Sequence, residues 1–260
     1  MFSCGVTAQT CYTHVAMKTL FIADLHLTEH QPVITKRFLR FLEVEAVQAD
    51  ALYILGDFFN LWVGDDDNTE FNRTIINALR KYTDAGTPIY LMPGNRDFLI
   101  GKRFLKATGC KLLQDPLVIN LYNTRILLTH GDIFCTHDIK YLIYRKFIRN
   151  CLVTRLFLWL PLVIRKAIAN RMRKMSQVYN SLADISGVTQ SEIEHKMRKY
   201  RTNLLIHGHI HNPGNYQFQL DGNAVQRIVL GGWRSDKGCV LVCKSDKKPA
   251  GLDLQFIEIG

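Results

Sequence analysis

Five short apolar runs each end on side chains that hold metals or protons, and this regularity limits the possible fold more than any other feature. Thr19–Ala23 runs into Asp24-Leu25-His26, and Ala51–Leu55 into Gly56-Asp57. Pro88–Met92 runs into Pro93-Gly94-Asn95-Arg96-Asp97, and Arg125–Thr129 into His130-Gly131-Asp132. Leu204–Ile206 runs into His207-Gly208-His209-Ile210-His211. Each run has the length of one buried strand. Residues two apart on an extended chain share a side, so Asp24 and His26 are presented together. Four of the five tips carry glycine, which permits a sharp exit and a close backbone approach. In layered α/β folds, sites form where strand ends converge.

The segments between the tips supply the rest of an α/β chain. Val33–Gln48 places Ile34, Phe38, Phe41, Leu42 and Glu45 at helical spacing, which predicts a crossover helix. Thr69–Ala85 predicts a second helix, closed by Gly86 and Pro88, and Lys102–Thr108 a short third one stopped by Gly109. Leu117–Leu121 and Arg125–Thr129 form a hairpin pattern with Tyr122-Asn123-Thr124 at its tip. Val225–Leu230, Cys239–Cys243 and Leu254–Ile257 have strand character, and Gly231-Gly232-Trp233 that of a turn with an anchored Trp. A βαβαβ start followed by hairpins implies a mixed sheet, or two sheets face to face with helices outside. The triplet Asp65-Asp66-Asp67 fits a solvated loop or a charge cluster at a helix N-terminus better than a ligand set, because adjacent carboxylates repel.

With 260 residues, one domain at 17–260 carrying an insertion is the natural organisation. Residues 1–16 contain no Asp, Glu, Lys or Arg and lack the basic start of a secretory signal; we expect a tail or a mis-called start. The seven cysteines are scattered without a CxxC pair, which fits reduced packing cysteines rather than structural zinc. A net charge of +10 predicts an anionic partner. That charge is concentrated: residues 139–175 hold ten Lys/Arg and no Asp or Glu, interleaved with Tyr141, Phe147, Leu156, Phe157 and Trp159. We expect residues 138–200 to be a helical insertion that caps the site, broken at Pro161. Its basic and aromatic face fits a lipid surface, a nucleic acid, or solvent over ordinary packing helices. The longest apolar run, Leu156–Ile164, is too short to span a bilayer.

The tips offer Asp24, His26, Asp57, Asn95, His130, His209 and His211 as metal ligands. Oxygen and imidazole donors without thiolate suit Mn²⁺, Fe²⁺ or Zn²⁺. The set is too large for one ion and right for two, which can activate a shared water for in-line attack on phosphorus. Asp57, on a central early strand, is the expected bridge, Asn95 would offer its carbonyl oxygen, and His207 stands deeper in its strand as a support. No Gly-x-Ser-x-Gly elbow is present for a serine hydrolase. The residues alone leave open a phosphodiesterase of soluble nucleotides, a nuclease, and a module that binds without turnover.

These motifs together resemble the calcineurin-like metallophosphoesterases over roughly residues 17–256. The resemblance implies a four-layer αββα sandwich with a dimetal site. A finer similarity, carried by ADLHL at 23–27, ALYILGD at 51–57, GDDD at 64–67, GNRDFL at 94–99, GKRF at 101–104, RMRKMS at 171–176 and HGHIH at 207–211, is to the branch acting on UDP-2,3-diacylglucosamine in lipid A biosynthesis. It implies hydrolysis of the pyrophosphate by water at the α-phosphorus, giving UMP and 2,3-diacylglucosamine 1-phosphate, with two Mn²⁺ ions. It also implies peripheral attachment to the cytoplasmic side of the bacterial inner membrane, with no nucleic acid and no obligate protein partner. Asp57, Asn95, Arg96 and His130 carry over as catalytic, and Asn95, Arg96, Asp138, Ser176, Asn180 and His209 as substrate contacts. Arg96 stands where most members of the family have His. Arg cannot release a proton at neutral pH but can clamp a phosphate oxygen. The lysine that the resemblance places just after Asn180 is missing, since Ser181-Leu182-Ala183 follows.

Overall fold

The alternation within the first strand sets the layering. The computed structural model describes residues 17–135, 139–182, 188–245 and 252–260, so residues 1–16 and Asp138 lie outside it. In β1 (Lys18–Ile22), Leu20 and Ile22 pack against α1 (Pro32–Val44), while Phe21 and Ala23 point the other way into a core shared with a second sheet. The strand β2 (Ala51–Leu55) repeats this: Leu52 and Ile54 join the first cluster with Ile75 and Leu79 of α2 (Glu70–Asp84), and Leu55 joins the second. Next come β3 (Ile89–Met92), α3 (Lys102–Thr108) and β4 (Lys111–Leu112). The second sheet begins with the hairpin of β5 (Leu117–Leu121) and β6 (Thr124–Thr129).

Between β6 and the next strand lie α4 (Ile139–Ile148), α5 (Cys151–Trp159), α6 (Leu162–Leu182) and α7 (Gln190–Tyr200). The chain then adds β7 (Leu204–His207), β8 (Gly214–Leu220) and β9 (Asn223–Val229) to the second sheet. It returns to the first with β10 (Gly238–Ser245) and β11 (Leu252–Ile259). The orders are β11-β10-β1-β2-β3-β4 and β5-β6-β7-β9-β8. β1 to β4 run parallel, as do β6, β7 and β9. A third cluster, Leu127 and Leu205 with Ile193 and Met197, seats α7 on the outer face of the second sheet. The architecture is therefore helix, sheet, sheet, helix, as the sequence implies. α7, placed by the sequence pattern inside the insertion, serves as an outer layer.

Local chemistry explains most boundaries. Pro32 starts α1, where its missing N–H costs nothing. This helix ends at Val44, short of the expected Gln48, because the chain turns there to bury Ala46 and Ala49. Thr69 caps α2 by accepting the Asn72 N–H at 3.1 Å. The hairpin needs only Tyr122 and Asn123 as its loop, both at positive φ (48° and 64°), so β6 starts one residue earlier than predicted. Pro161 separates α5 from α6 as expected. Trp233 is buried, with Nε1–H donated to the Cys239 carbonyl. Among the described residues no helix is long and apolar enough to cross a membrane, and Cys110, Cys151, Cys239 and Cys243 are free thiols.

Two expectations change. Asp65-Asp66-Asp67 serves in part as the expected charge at a helix N-terminus, but it is less solvated than a free loop and reaches helices distant in sequence. Asp65 accepts N–H bonds from Gly101, Arg103 and Phe104, capping α3, and another from Trp62 Nε1. Asp66 pairs with Arg165 and Asp67 with Lys166, tying α6 to the sandwich. The basic face of the insertion is accordingly smaller than the sequence suggests. Arg145, Arg149, Arg165 and Lys166 all meet carboxylates of the sandwich. Exposed cations among the described side chains of 139–175 are Lys146, Arg155 and Arg171. The apolar face stays open: Phe147, Leu152, Leu156, Trp159 and Val163 are exposed, Trp159 by 84%.

Candidate metal centre

The parallel strands deliver their carboxyl ends to one edge of the sandwich, and the seven expected ligand residues gather there, six of them with side-chain donor atoms close to one another. Main-chain bonds fix the tips to one another. The Asp24 N–H donates to the Gly56 carbonyl, His26 N–H to the Asp57 carbonyl, and Gly208 N–H to the His130 carbonyl. Two glycines are required by space. A Cβ on Gly94 would lie 2.2 Å from Asp57 Oδ1, and one on Gly56, at φ +91°, would lie 2.3 Å from His130 Nδ1. Asp24, His26, Asp57 and His209 all adopt left-handed backbone, with φ of 53°, 49°, 50° and 67°. Each such residue costs on the order of 1–2 kcal/mol, strain that the surrounding sheets hold in place.

Donor atoms of Asp24, His26 and His211 lie within 4.8 Å of one another, and so do those of Asp24, Asp57 and His130. His26 Nε2 is 3.2 Å from His211 Nε2, and His130 Nε2 is 3.0 Å from Asn95 Oδ1. Asp57 sits between the two groups: Oδ1 is 3.7 Å from His130 Nε2 and Oδ2 is 3.8 Å from His26 Nδ1. His130 Nδ1 lies 3.0 Å from the Leu55 carbonyl, which leaves Nε2 for the site. The seventh residue, His209, contributes its main-chain N–H to Asp24 Oδ2 at 2.7 Å, and its ring centroid lies 5.2 Å from that of His130. His207 stands behind the site, its Nε2 accepting from Arg227 Nε at 2.9 Å.

The electrostatics call for cations. Burial, then the neighbouring Asp57 charge, push Asp24 up to about 8. Its Oδ1 and His26 Nδ1 are buried without a hydrogen-bond partner. Burial drives His26 down to about 3 and His209 to about 4, so both present neutral imidazoles. Burial would also lower His130, but Asp57, Asp24 and Asp132 outweigh it and raise this group to about 9. Burial disfavours the Asp57 charge, yet His130, His26 and Arg96 hold it below the usual carboxylate range. A buried carboxylate that charges only with difficulty, beside neutral imidazoles with open lone pairs, is short of positive charge. Divalent cations supply it, and the oxygen and nitrogen donors fit them.

Arg96 leans over this cluster, Nε 3.3 Å from Asp57 Oδ2 and Nη1 donating to Asn60 Oδ1. Arg173 of α6 lies close enough for its own pKa to be lowered, by burial and then by the Arg96 charge, and its Nε has no partner. Arg173 was not singled out in the sequence, where it is one cation among ten. The role of Asp97 was also not singled out: it accepts the N–H groups of Phe58, Phe59 and Gly94 and so ties the Asp57 and Asn95 tips together. Its position three residues after Gly94 was the available signal. Of the expected substrate contacts, Asn95, Arg96 and His209 are at the site. Ser176 and Asn180 belong to α6 but their side chains, like Asp138, lie outside the described residues.

The calcineurin-like phosphoesterase family model matches residues 17–213. A UDP-2,3-diacylglucosamine hydrolase of Coxiella burnetii is 50% identical over 244 residues, covering 93% of this chain and 98% of the relative. Proteins of the same name from Pseudomonas aeruginosa (48%; 84% of this chain, 91% of the relative) and Proteus mirabilis (46%; 89% and 97%) are similarly alike.

Proposed function

The chain belongs to the calcineurin-like phosphoesterases, and on that footing we propose that it hydrolyses the pyrophosphate of UDP-2,3-diacylglucosamine to UMP and 2,3-diacylglucosamine 1-phosphate. The observation that carries this reading is the buried donor set at the strand tips, with Arg96 set against Asp57, in a chain that aligns nearly end to end with hydrolases of that name. Two divalent cations, for which we propose Mn²⁺, supply an activated water and neutralise charge at the reacting phosphorus. The chain does the rest. Asp24, His26, Asp57 and His211 form one side of the donor set, and Asp57, Asn95, His130 and His209 the other. Arg96, with its planar fork, fits two oxygens of the pyrophosphate. Water adds to the α-phosphorus, the bond to the bridging oxygen breaks, and that oxygen leaves on the sugar phosphate. The leaving group is a phosphate monoester with a second pKa of about 6, so it departs without a proton. An arginine can therefore stand where other members of the family carry an imidazole.

The acyl chains require an apolar wall, and α5 and α6 supply exposed Leu156, Trp159, Val163 and Ile168. The same face lies against a membrane in our reading, with the enzyme peripheral on the cytoplasmic side of the inner membrane. Apolar area dominates that contact, since Lys146, Arg155 and Arg171 contribute only about 1 kcal/mol each at an anionic surface. Hydrolysis in H₂¹⁸O tests the chemistry. We expect the label in UMP. Label in the 2,3-diacylglucosamine 1-phosphate would place attack on the other phosphorus and overturn the assigned orientation.

A further inference from the structure

Two arginines, Arg145 on α4 and Arg149 just past its last residue, are built into the wall of the site rather than into its cover. Arg145 Nε donates to Asp132 Oδ2 at 2.6 Å, and its Nη2 to Asp115 Oδ2 at 3.0 Å. Arg149, four residues later and bonded through its N–H to the Arg145 carbonyl, lies 3.9 Å from Asp115 Oδ2 and 3.6 Å from Asp132 Oδ2. Its Nη2 also donates to the Gly94 carbonyl at 2.9 Å. Both carboxylates are buried, the side chains exposed by 3% and 0%. Two carboxylates this dry draw on both guanidiniums, and removing either cation weakens the compensation of buried charge.

The far ends of this cluster touch the donor set. Asp115 Oδ1 accepts the His130 N–H at 3.2 Å and the Thr129 hydroxyl at 2.5 Å. The Gly94 carbonyl belongs to the peptide bond that leads into Asn95. Arg149 therefore holds the main chain beside Asn95, and both arginines hold the carboxylate that fixes the main chain of His130. The side chains of Asn95 and His130 meet at 3.0 Å on one side of the donor set.

We propose that Arg145 and Arg149 are positioning residues for Asn95 and His130, so that seating α4 and assembling that side of the donor set are a single event. The proposal rests on the dimetal reading of the site. It divides the insertion by function, with its first helix completing the metal centre while α5 and α6 meet the lipid. Groups that orient metal ligands from behind typically carry roughly tenfold to hundredfold in affinity or activity.

The test is Mn²⁺ binding to the full chain, followed by electron paramagnetic resonance, for the wild type, Arg149→Met, Arg149→Lys and Arg145→Met. Arg198→Met serves as control, since Arg198 pairs with Asp221 on the exposed surface away from the site. We expect two ions in the wild type and the control. In Arg149→Met one ion should bind as in the wild type and the second roughly tenfold or more weakly. Arg149→Lys should recover part of the loss, because an ammonium can reach one partner but not fork between several. Turnover should fall through kcat with KM little changed. Wild-type binding of both ions by Arg149→Met overturns the proposal, as does equal weakening of both. If Arg149→Met does not fold, Arg149→Lys and Arg145→Met decide by the same selective loss. The isotherm needs no substrate, so a wild type that binds two ions and cleaves nothing refutes the proposed hydrolysis while the isotherms still decide this proposal. A wild type that binds no ion overturns both.

Discussion

Arg165 holds α6 to the sandwich, and replacing it with methionine gives a defined loss. Its side chain is 2% exposed. Nη1 donates to the Val63 carbonyl at 2.6 Å and to Asp66 Oδ1 at 2.9 Å, Nη2 to Asp66 Oδ2, and Nε to the Leu160 carbonyl at 2.9 Å. Methionine keeps the apolar stem, so the loss is polar. Asp66 is 46% exposed and recovers water, which limits its share to about 1 kcal/mol. The Val63 carbonyl sits in a buried residue and becomes an orphan at about 1–3 kcal/mol. The sum is about 2–4 kcal/mol, and it falls on the docking of α5 and α6 rather than on the central sheets. Urea unfolding gives the total, and hydrogen exchange over 156–168 shows where it is felt. Arg165→Lys should lie between, since an ammonium cannot make the forked contact. Lys166→Met, which removes a half-exposed partner of Asp67, should cost less than about 1 kcal/mol. Arg165→Met within about 0.5 kcal/mol of the wild type, the range of a neutral surface change, would refute the latch.

Other consequences follow from the same geometry. Asp57→Asn should keep the fold but lose most turnover and bind Mn²⁺ more weakly, and wild-type kcat at saturating Mn²⁺ would contradict the placing of Asp57 between two ions. His207→Asn strands Arg227 and should cost about 1–3 kcal/mol near pH 7.5. That deficit should shrink on acidification. Burial, then Arg227, hold His207 at about 3 against an ordinary 6.5, so from 6.5 downward the unfolded chain binds a proton that the folded one refuses. Wild-type stability then falls by about 1.4 kcal/mol per pH unit relative to the variant, and a pH-independent difference would remove this titration from the account. Trp159→Ser should weaken partition onto anionic vesicles roughly tenfold or more, as removing about 1.5–3 kcal/mol of apolar burial requires; unchanged binding would place the membrane contact elsewhere.

The strand tips were legible because buried parallel strands are short apolar runs, and a metal ligand at the end of each breaks the run visibly. The same logic shows why β8 was missed. It lies at the edge of its sheet, most of its side chains are exposed, and it has no apolar run to see. The ligand set could be named from residue type, but not the left-handed backbone at Asp24, His26, Asp57 and His209, because only tertiary bonds impose it. Charge was the least legible property. Ten cations in 139–175 suggest a basic surface, yet Arg145, Arg149, Arg165 and Lys166 are consumed by carboxylates distant in sequence. Asp115 and Asp66 carry no local signal of those partners.

The central claim is metal-dependent cleavage of a lipid-linked nucleotide, and UMP release tests it most directly. UDP-2,3-diacylglucosamine and unacylated UDP-N-acetylglucosamine are compared with Mn²⁺ and with a chelator. The account predicts UMP from the acylated substrate alone, abolished by chelation and restored by Mn²⁺. Equal cleavage of both substrates, or cleavage that survives chelation, would contradict it.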